Sequence, residues 1–193
     1  MEMKICIYGA SSKRISDDYI NVVESLGKKL ALRGHSLVFG GGASGLMGAA
    51  ARGFTLGGGD ILGIAPRFFD ADGILYDKCT DFIYTDTMRE RKKLLEDKSD
   101  CFIVTPGGVG TFDEFFEIIT LKQLGRHQKA IVIFNVGGYF DEMLSLMQKA
   151  FKEDMLSEKT LSLYKVSDDE DDIITYLENY KGEIASIKET KYI

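Results

Sequence analysis

Three glycines crowd into four residues between a proline and a pair of carboxylates, in the stretch Thr105-Pro106-Gly107-Gly108-Val109-Gly110-Thr111-Phe112-Asp113-Glu114. Backbone without side chains lets an anion approach N–H groups closely, and the start of a helix adds favourable partial positive charge. The stretch follows an apolar run, Cys101 to Val104, and opens a helix-like pattern, so a phosphate suits this turn. Glu114 would stand one helical turn beyond Thr111, which sets a fixed carboxylate beside the phosphate cradle. Upstream, Met88-Arg89-Glu90-Arg91-Lys92 offers cations that could meet the same ligand. A tight turn with a helix cap at Thr111 or Asp113 would account for one or two of the glycines, but not for three and a proline.

These residues need a scaffold, and the pattern around them supplies one. Strand-like runs fall at Lys4–Tyr8, Ser36–Phe39, Asp60–Ala65, Asp81–Thr85, Cys101–Thr105, Lys129–Phe134 and Leu163–Val166. Helix-like segments lie between them near Asp17–Arg33, Gly45–Leu56, Met88–Lys98, Thr111–Leu124, Tyr139–Glu153 and Asp169–Asn179. Doubly buried strands alternating with amphipathic helices predict an α/β fold, a mostly parallel sheet with helices on both sides. Such sheets bind ligands beyond the carboxyl ends of their strands. Gly9-Ala10-Ser11-Ser12, Gly40 to Gly45 and Pro106 to Thr111 all fall at that edge, which argues for one composite site. The 193 residues are expected to form a single domain, with a polar tail from about residue 181 that frays or packs on a partner subunit.

Composition narrows the function. An apolar fraction of 45% with 28% charged residues is that of a soluble globular protein, and no run is long enough to span a membrane. With no signal peptide in view, the expected location is cytoplasmic. The net charge of −6 argues against a nucleic-acid polymer as partner. Cys6, Cys79 and Cys101 are scattered and read as free thiols. With only His35 and His127, both assigned to surface loops, no transition-metal site is expected. The acidic run Asp168 to Asp172 reads as a helix N-terminus, since a calcium loop would need a central glycine.

Gly40-x-Gly42-x-x-Gly45, with Asp60 downstream, matches the dinucleotide-binding fingerprint. The match fails in context. Asp60 precedes its strand, and the fingerprint follows the second strand where a dinucleotide fold carries it after the first. The loop is therefore expected to contact a nucleotide in another way, with tight-turn structure alone as the competing explanation. Glu114 competes on spacing with Glu117 and Glu90, and Arg91 and Lys92 could each be a solvated helix face.

Met88-x-x-Arg91-Lys92 followed by Pro106-Gly107-Gly108-x-Gly110-Thr111-x-x-Glu114 resembles the paired signature of the Lonely Guy family, over roughly residues 3 to 155. Those proteins are phosphoribohydrolases of cytokinin riboside 5′-monophosphates, and many relatives carry a lysine decarboxylase label. The resemblance implies a Rossmann-like homodimer, or larger homo-oligomer, needing no cofactor. It would cleave adenine-type nucleoside 5′-monophosphates to free base and ribose 5-phosphate. Arg91 and Glu114 match the family's catalytic pair, and Gly107, Gly108, Val109, Gly110 and Thr111 its phosphate loop. Lys92, Thr120, Ser11, Gly41, Gly42 and Met88 match further substrate contacts. Three departures stand out: Arg89 replaces a common histidine, the first loop reads Gly9-Ala10-Ser11-Ser12, and Asp70 and Asp72 stand where many members place a glutamate. The last two leave the choice between adenine and an N6-prenylated base open.

In such a reaction Glu114 would stabilise the oxocarbenium-like ribose and orient water, as carboxylates do in sugar hydrolysis. Arg91 could hold Glu114 ionised, hold the phosphate, or stabilise the leaving base. Pyridoxal-phosphate chemistry would need a Schiff-base lysine, and no lysine is singled out for it. The alternative from another class is a non-catalytic nucleotide or phosphorylated-cofactor carrier. A third reading, a deoxyribosyltransferase, would show base exchange without net hydrolysis.

Overall fold

The computed structural model describes residues 2–70, 73–182 and 189–190. Seven strands form one sheet: β1 (Lys4–Tyr8), β2 (Ser36–Phe39), β3 (Ile61–Pro66), β4 (Asp81–Thr85), β5 (Cys101–Val104), β6 (Ala130–Phe134) and β7 (Lys165–Ser167). Their order is β4-β3-β2-β1-β5-β6-β7, and every pairing is parallel. The expected α/β class therefore holds, with all strands sharing one direction. Strand order reverses between β1 and β5, so a crevice opens at their carboxyl ends. That junction is where the first loop and the glycine-rich turn both begin.

Alternation within the strands fills both faces. Ile5 and Ile7 of β1, with Ile103 of β5 and Val132 of β6, pack against α1 (Asp17–Leu32), α2 (Gly45–Gly57) and α7 (Glu170–Asn179). Cys6, Tyr8, Phe102 and Ile131 point the other way, against α3 (Met88–Asp97), α4 (Val109–Gln123) and α5 (Asp141–Lys152). The result is a three-layer α/β/α arrangement.

Boundaries follow local chemistry. Ser16 caps α1 and Asp169 caps α7, and Thr87 with Glu90 forms a reciprocal capping box on α3. The acidic run thus marks a helix start, as expected. Helix α4 begins at Val109, two residues before the sequence pattern suggested, because the glycines themselves make its first turn. Strand β7 begins at Lys165, two residues late, since Leu163 is buried in the core and its carbonyl accepts from Lys122 Nζ. A four-residue helix, α6 (Glu158–Leu161), was not foreseen; one turn is too short to show a period.

The histidines overturn an expectation. Both are buried rather than on the surface, because helix-to-strand connections this short are covered by the elements they join. His35 Nδ1 accepts from the Met3 N–H while Nε2 faces Glu178. His127 donates from Nε2 to the Ile118 carbonyl and accepts the Lys129 N–H on Nδ1, and burial pushes its pKa down to about 4. Cys6 and Cys101 are buried free thiols and Cys79 is half-buried, as read from the sequence. Much of the expected tail lies outside the described residues, but Thr190 is buried, its carbonyl accepting from Gln123 Nε2 and Ser157 Oγ.

Candidate active site

The loop after β1 and the turn after β5 are stitched together past their strands. The Thr105 N–H donates to the Tyr8 carbonyl and the Ala10 N–H to the Pro106 carbonyl, at 2.9 and 3.0 Å. Between these loops and α3 lies a cleft of about 380 Å³, lined by Ser11, Gly108 to Thr111 and Glu114, with Arg91 and Met88 across from them. Its size falls in the range of small-molecule pockets, about 300–1,000 Å³.

The floor of the cleft is the Arg91–Glu114 pair. Arg91 Nη1 donates to Glu114 Oε1 at 2.7 Å, and Arg91 Nε donates to the Ile64 carbonyl at 3.2 Å. Both side chains are almost fully enclosed, 7% and 10% exposed. Burial raises the Glu114 pKa above that of an ordinary carboxylate, and the Arg91 guanidinium opposes the rise. Room for the guanidinium comes from Gly40, where a β-carbon would collide with Arg91 Nη2.

The competing glutamates are removed by their partners. Glu90 is spent on the Thr87 capping box, and Glu117 pairs with Lys92 at 2.9 Å. Lys92 also meets Asp113 at 2.9 Å, so it is turned to α4 and does not line the cleft. Its pKa is raised chiefly by the hydrogen bond to Glu117 and less by that to Asp113.

The two glycine clusters separate on physical grounds. In the first, Gly45 has a φ of +64° and lies against the Ala10 carbonyl, which accepts the Leu46 and Met47 N–H groups. The start of α2 is thereby satisfied within the protein. Gly41 packs on Phe82 and Gly42 on Met47, and neither lines the cleft. In the second cluster, Gly107 packs against the Thr111 side chain, but Gly108 and Gly110 face open space. Neither has a positive φ. No packing or backbone demand explains glycine there. The N–H groups of Val109, Gly110 and Thr111 have no acceptor ahead of them in the helix, and among the described residues no side chain caps them.

Other candidates lie elsewhere. Thr120 donates to the Phe116 carbonyl and borders a separate groove with Phe116 and Met155. Asp70 accepts from the Tyr84 hydroxyl at 3.4 Å, and Asp72 lies outside the described residues. Two lining residues, Met47 and Phe69, had no sequence signal, because lone apolar side chains look like core. Tyr139, just after β6, was also missed; its hydroxyl donates to the Gly107 carbonyl at 2.7 Å. Among the described residues no cluster of three or more metal-ligating side chains occurs.

Comparison with known proteins finds relatives over most of the chain. Residues 47–177 match the family model described as "Possible lysine decarboxylase". Cytokinin riboside 5′-monophosphate phosphoribohydrolase LOG5 of Arabidopsis thaliana is 33% identical over 178 residues, spanning 92% of this chain and 78% of the relative. The phosphoribohydrolase LOG of Oryza sativa subsp. japonica is 33% identical over 180 residues, spanning 93% and 74%. Among solved structures, the molybdenum cofactor carrier protein of Chlamydomonas reinhardtii aligns with a TM-score of 0.68 at 19% identity, covering 92% of this chain and 97% of that one. That last likeness shows a shared fold alone. With a cleft built from both halves of the paired signature and this identity over nearly its whole length, the chain belongs to the Lonely Guy family of phosphoribohydrolases.

Proposed function

We propose that this protein hydrolyses the N-glycosidic bond of adenine-type nucleoside 5′-monophosphates, releasing free base and ribose 5-phosphate. One observation carries the reading: a buried Arg91–Glu114 pair adjoins a helix start whose free N–H groups and side-chain-free glycines suit a phosphate. The 5′-phosphate would sit on Gly108 to Thr111, and its binding energy would position the ribose for reaction. Glu114 lies one helical turn further on, toward C1′. As the C1′–N bond breaks, its electron pair passes to the base and positive charge grows on the ribose. The Glu114 carboxylate stabilises that charge and orients the water whose oxygen bonds to C1′. The water gives its oxygen and one hydrogen to C1′ as hydroxyl, its other proton is released, one proton is taken up by the departing base nitrogen, and the second product is ribose 5-phosphate. Burial raises the Glu114 pKa, and Arg91 opposes that rise and so favours the carboxylate that the step uses.

A homodimer or larger homo-oligomer belongs to the same proposal. Thr120 lies six residues beyond Glu114, about 9 Å along the helix, in a groove apart from the cleft of its own chain. A second copy is what would bring it to a substrate.

The test is incubation of purified protein with AMP and isopentenyladenosine monophosphate, following free base and ribose 5-phosphate by chromatography. Release of both products, sharply reduced in Glu114→Gln and Arg91→Ala, is the expected result, and it ranks the two substrates. Tight nucleotide binding without any release would establish the carrier alternative instead.

A further inference from the structure

The phosphate loop has two carbonyls that could turn toward an anion and repel it, those of Pro106 and Gly107. Each is held from outside the loop. The Pro106 carbonyl accepts the Ala10 N–H at 3.0 Å, and the Gly107 carbonyl accepts the Tyr139 hydroxyl at 2.7 Å. In a trans peptide C=O and N–H point to opposite sides. Drawing the Gly107 carbonyl toward Tyr139, which does not line the cleft, turns the Gly108 N–H the other way. Gly108 does line the cleft. We infer that Tyr139 is a positioning residue for phosphate recognition, holding the Gly107–Gly108 peptide with its N–H toward the anion and its carbonyl away.

The physical need for such a clamp is plain from the sequence. A peptide flanked by glycine on both sides reverses at little steric cost, since glycine adopts either sign of φ. A reversed peptide would present a carbonyl oxygen where the phosphate must sit. Tyr139 is 42% exposed, and its neighbours hold it. It follows a turn with Gly137 and Gly138 at φ of +61° and +72°, closed by the Asn135 side chain, which accepts the Phe140 N–H and donates to Asp141. Its ring packs edge-on against Tyr19 and Phe140. Three consecutive loops at the sheet edge, after β1, β5 and β6, are thereby coupled: the first and third set the peptide orientation of the second.

This inference rests on the phosphate-loop reading, and the experiment separates the two. Binding of ribose 5-phosphate and of adenosine is measured by calorimetry on the full chain, for wild type, Tyr139→Phe and Gly108→Ala, alongside kcat and KM for AMP. Phenylalanine keeps the ring packing and removes only the donor. The expected result is ribose 5-phosphate affinity weakened roughly tenfold in Tyr139→Phe, as for one lost hydrogen bond. KM for AMP rises by a similar factor, kcat stays near wild type, and adenosine binding is unchanged. Equal affinity of wild type and Tyr139→Phe for ribose 5-phosphate overturns the inference. So does an equal loss on adenosine, which would make Tyr139 merely structural. Failure of the wild type itself to bind ribose 5-phosphate, with AMP still cleaved, would remove the phosphate-loop reading beneath it.

Discussion

Glu114 does two opposed things at once: its environment disfavours the charge that the proposed chemistry needs. Burial raises its pKa, and Arg91 at 2.7 Å limits the rise. The proposed reaction uses the ionised form, so activity is lost as pH falls through the raised value. The acid limb of a kcat/KM profile is therefore expected above the ordinary glutamate pKa, and a limb at or below that value would contradict this. In Arg91→Ala the opposing cation is gone, and the side-chain titration of Glu114, followed by carbon NMR, should move further up. For stability the sign is the reverse of a paired surface carboxylate. The folded state binds the proton more tightly than the unfolded one, so this group's contribution falls as pH rises through the window between the two pKa values. Glu114→Gln should lower kcat by about 10²–10⁴-fold, the usual scale for losing such a group, while ribose 5-phosphate still binds.

At the scale of elements, glycines that look alike in sequence serve different ends, and single substitutions should tell them apart. Gly108→Ala meets no neighbouring atom and a permitted φ, so the thermal midpoint should stay within a degree or two while affinity for phosphorylated ligands falls. Gly40→Ala collides with Arg91 Nη2 and should cost kcat through a displaced guanidinium. At the crossing of α1 and α2, a β-carbon on Gly53 would strike the Glu24 carbonyl, and one on Gly27 would lie 2.7 Å from that of Ala50. Gly53→Ala should therefore destabilise the fold by about 1–3 kcal/mol in urea titration, as overpacking does, with KM unchanged. The sequence marks both the Pro106–Gly110 and the Gly40–Gly45 clusters as candidate ligand loops, and only Gly108 and Gly110 of the first face the cleft without a neighbour to explain them. The Gly40–Gly45 cluster was expected to touch a nucleotide, yet its glycines answer to Arg91, Phe82, Met47 and Ala10. Composition cannot separate the two cases, because close approach of a ligand and close approach of the protein's own atoms select the same residue.

For the whole molecule, sheet topology places the cleft. Order reverses between β1 and β5, so the loops after them diverge and leave a crevice, with α3 and α4 closing it from one face. No described helix is long and apolar enough to cross a membrane. The proposed assembly predicts a sedimentation coefficient of a dimer or larger species. It also predicts that Thr120→Ala, remote from the cleft of its own chain, lowers AMP turnover. A monomer with full activity would refute both.

The sequence by itself determined the α/β class, most element boundaries within two residues, the glycine-rich turn that opens α4 at the cleft, and the meeting of Arg91 with Glu114. It could do so because alternation, caps and turn glycines are local consequences of backbone geometry, and the paired motif is a short-range pattern. Tertiary structure alone decided the rest. It chose Glu114 over Glu90 and Glu117 by giving those two other partners, Thr87 and Lys92. It buried His35 and His127, brought Met47 and Phe69 to the cleft wall, and set the Tyr139 hydroxyl on the Gly107 carbonyl. Those contacts join residues far apart in sequence, 143 positions between His35 and Glu178 and 32 between Gly107 and Tyr139, and no local pattern of caps, turns or alternation reaches that far.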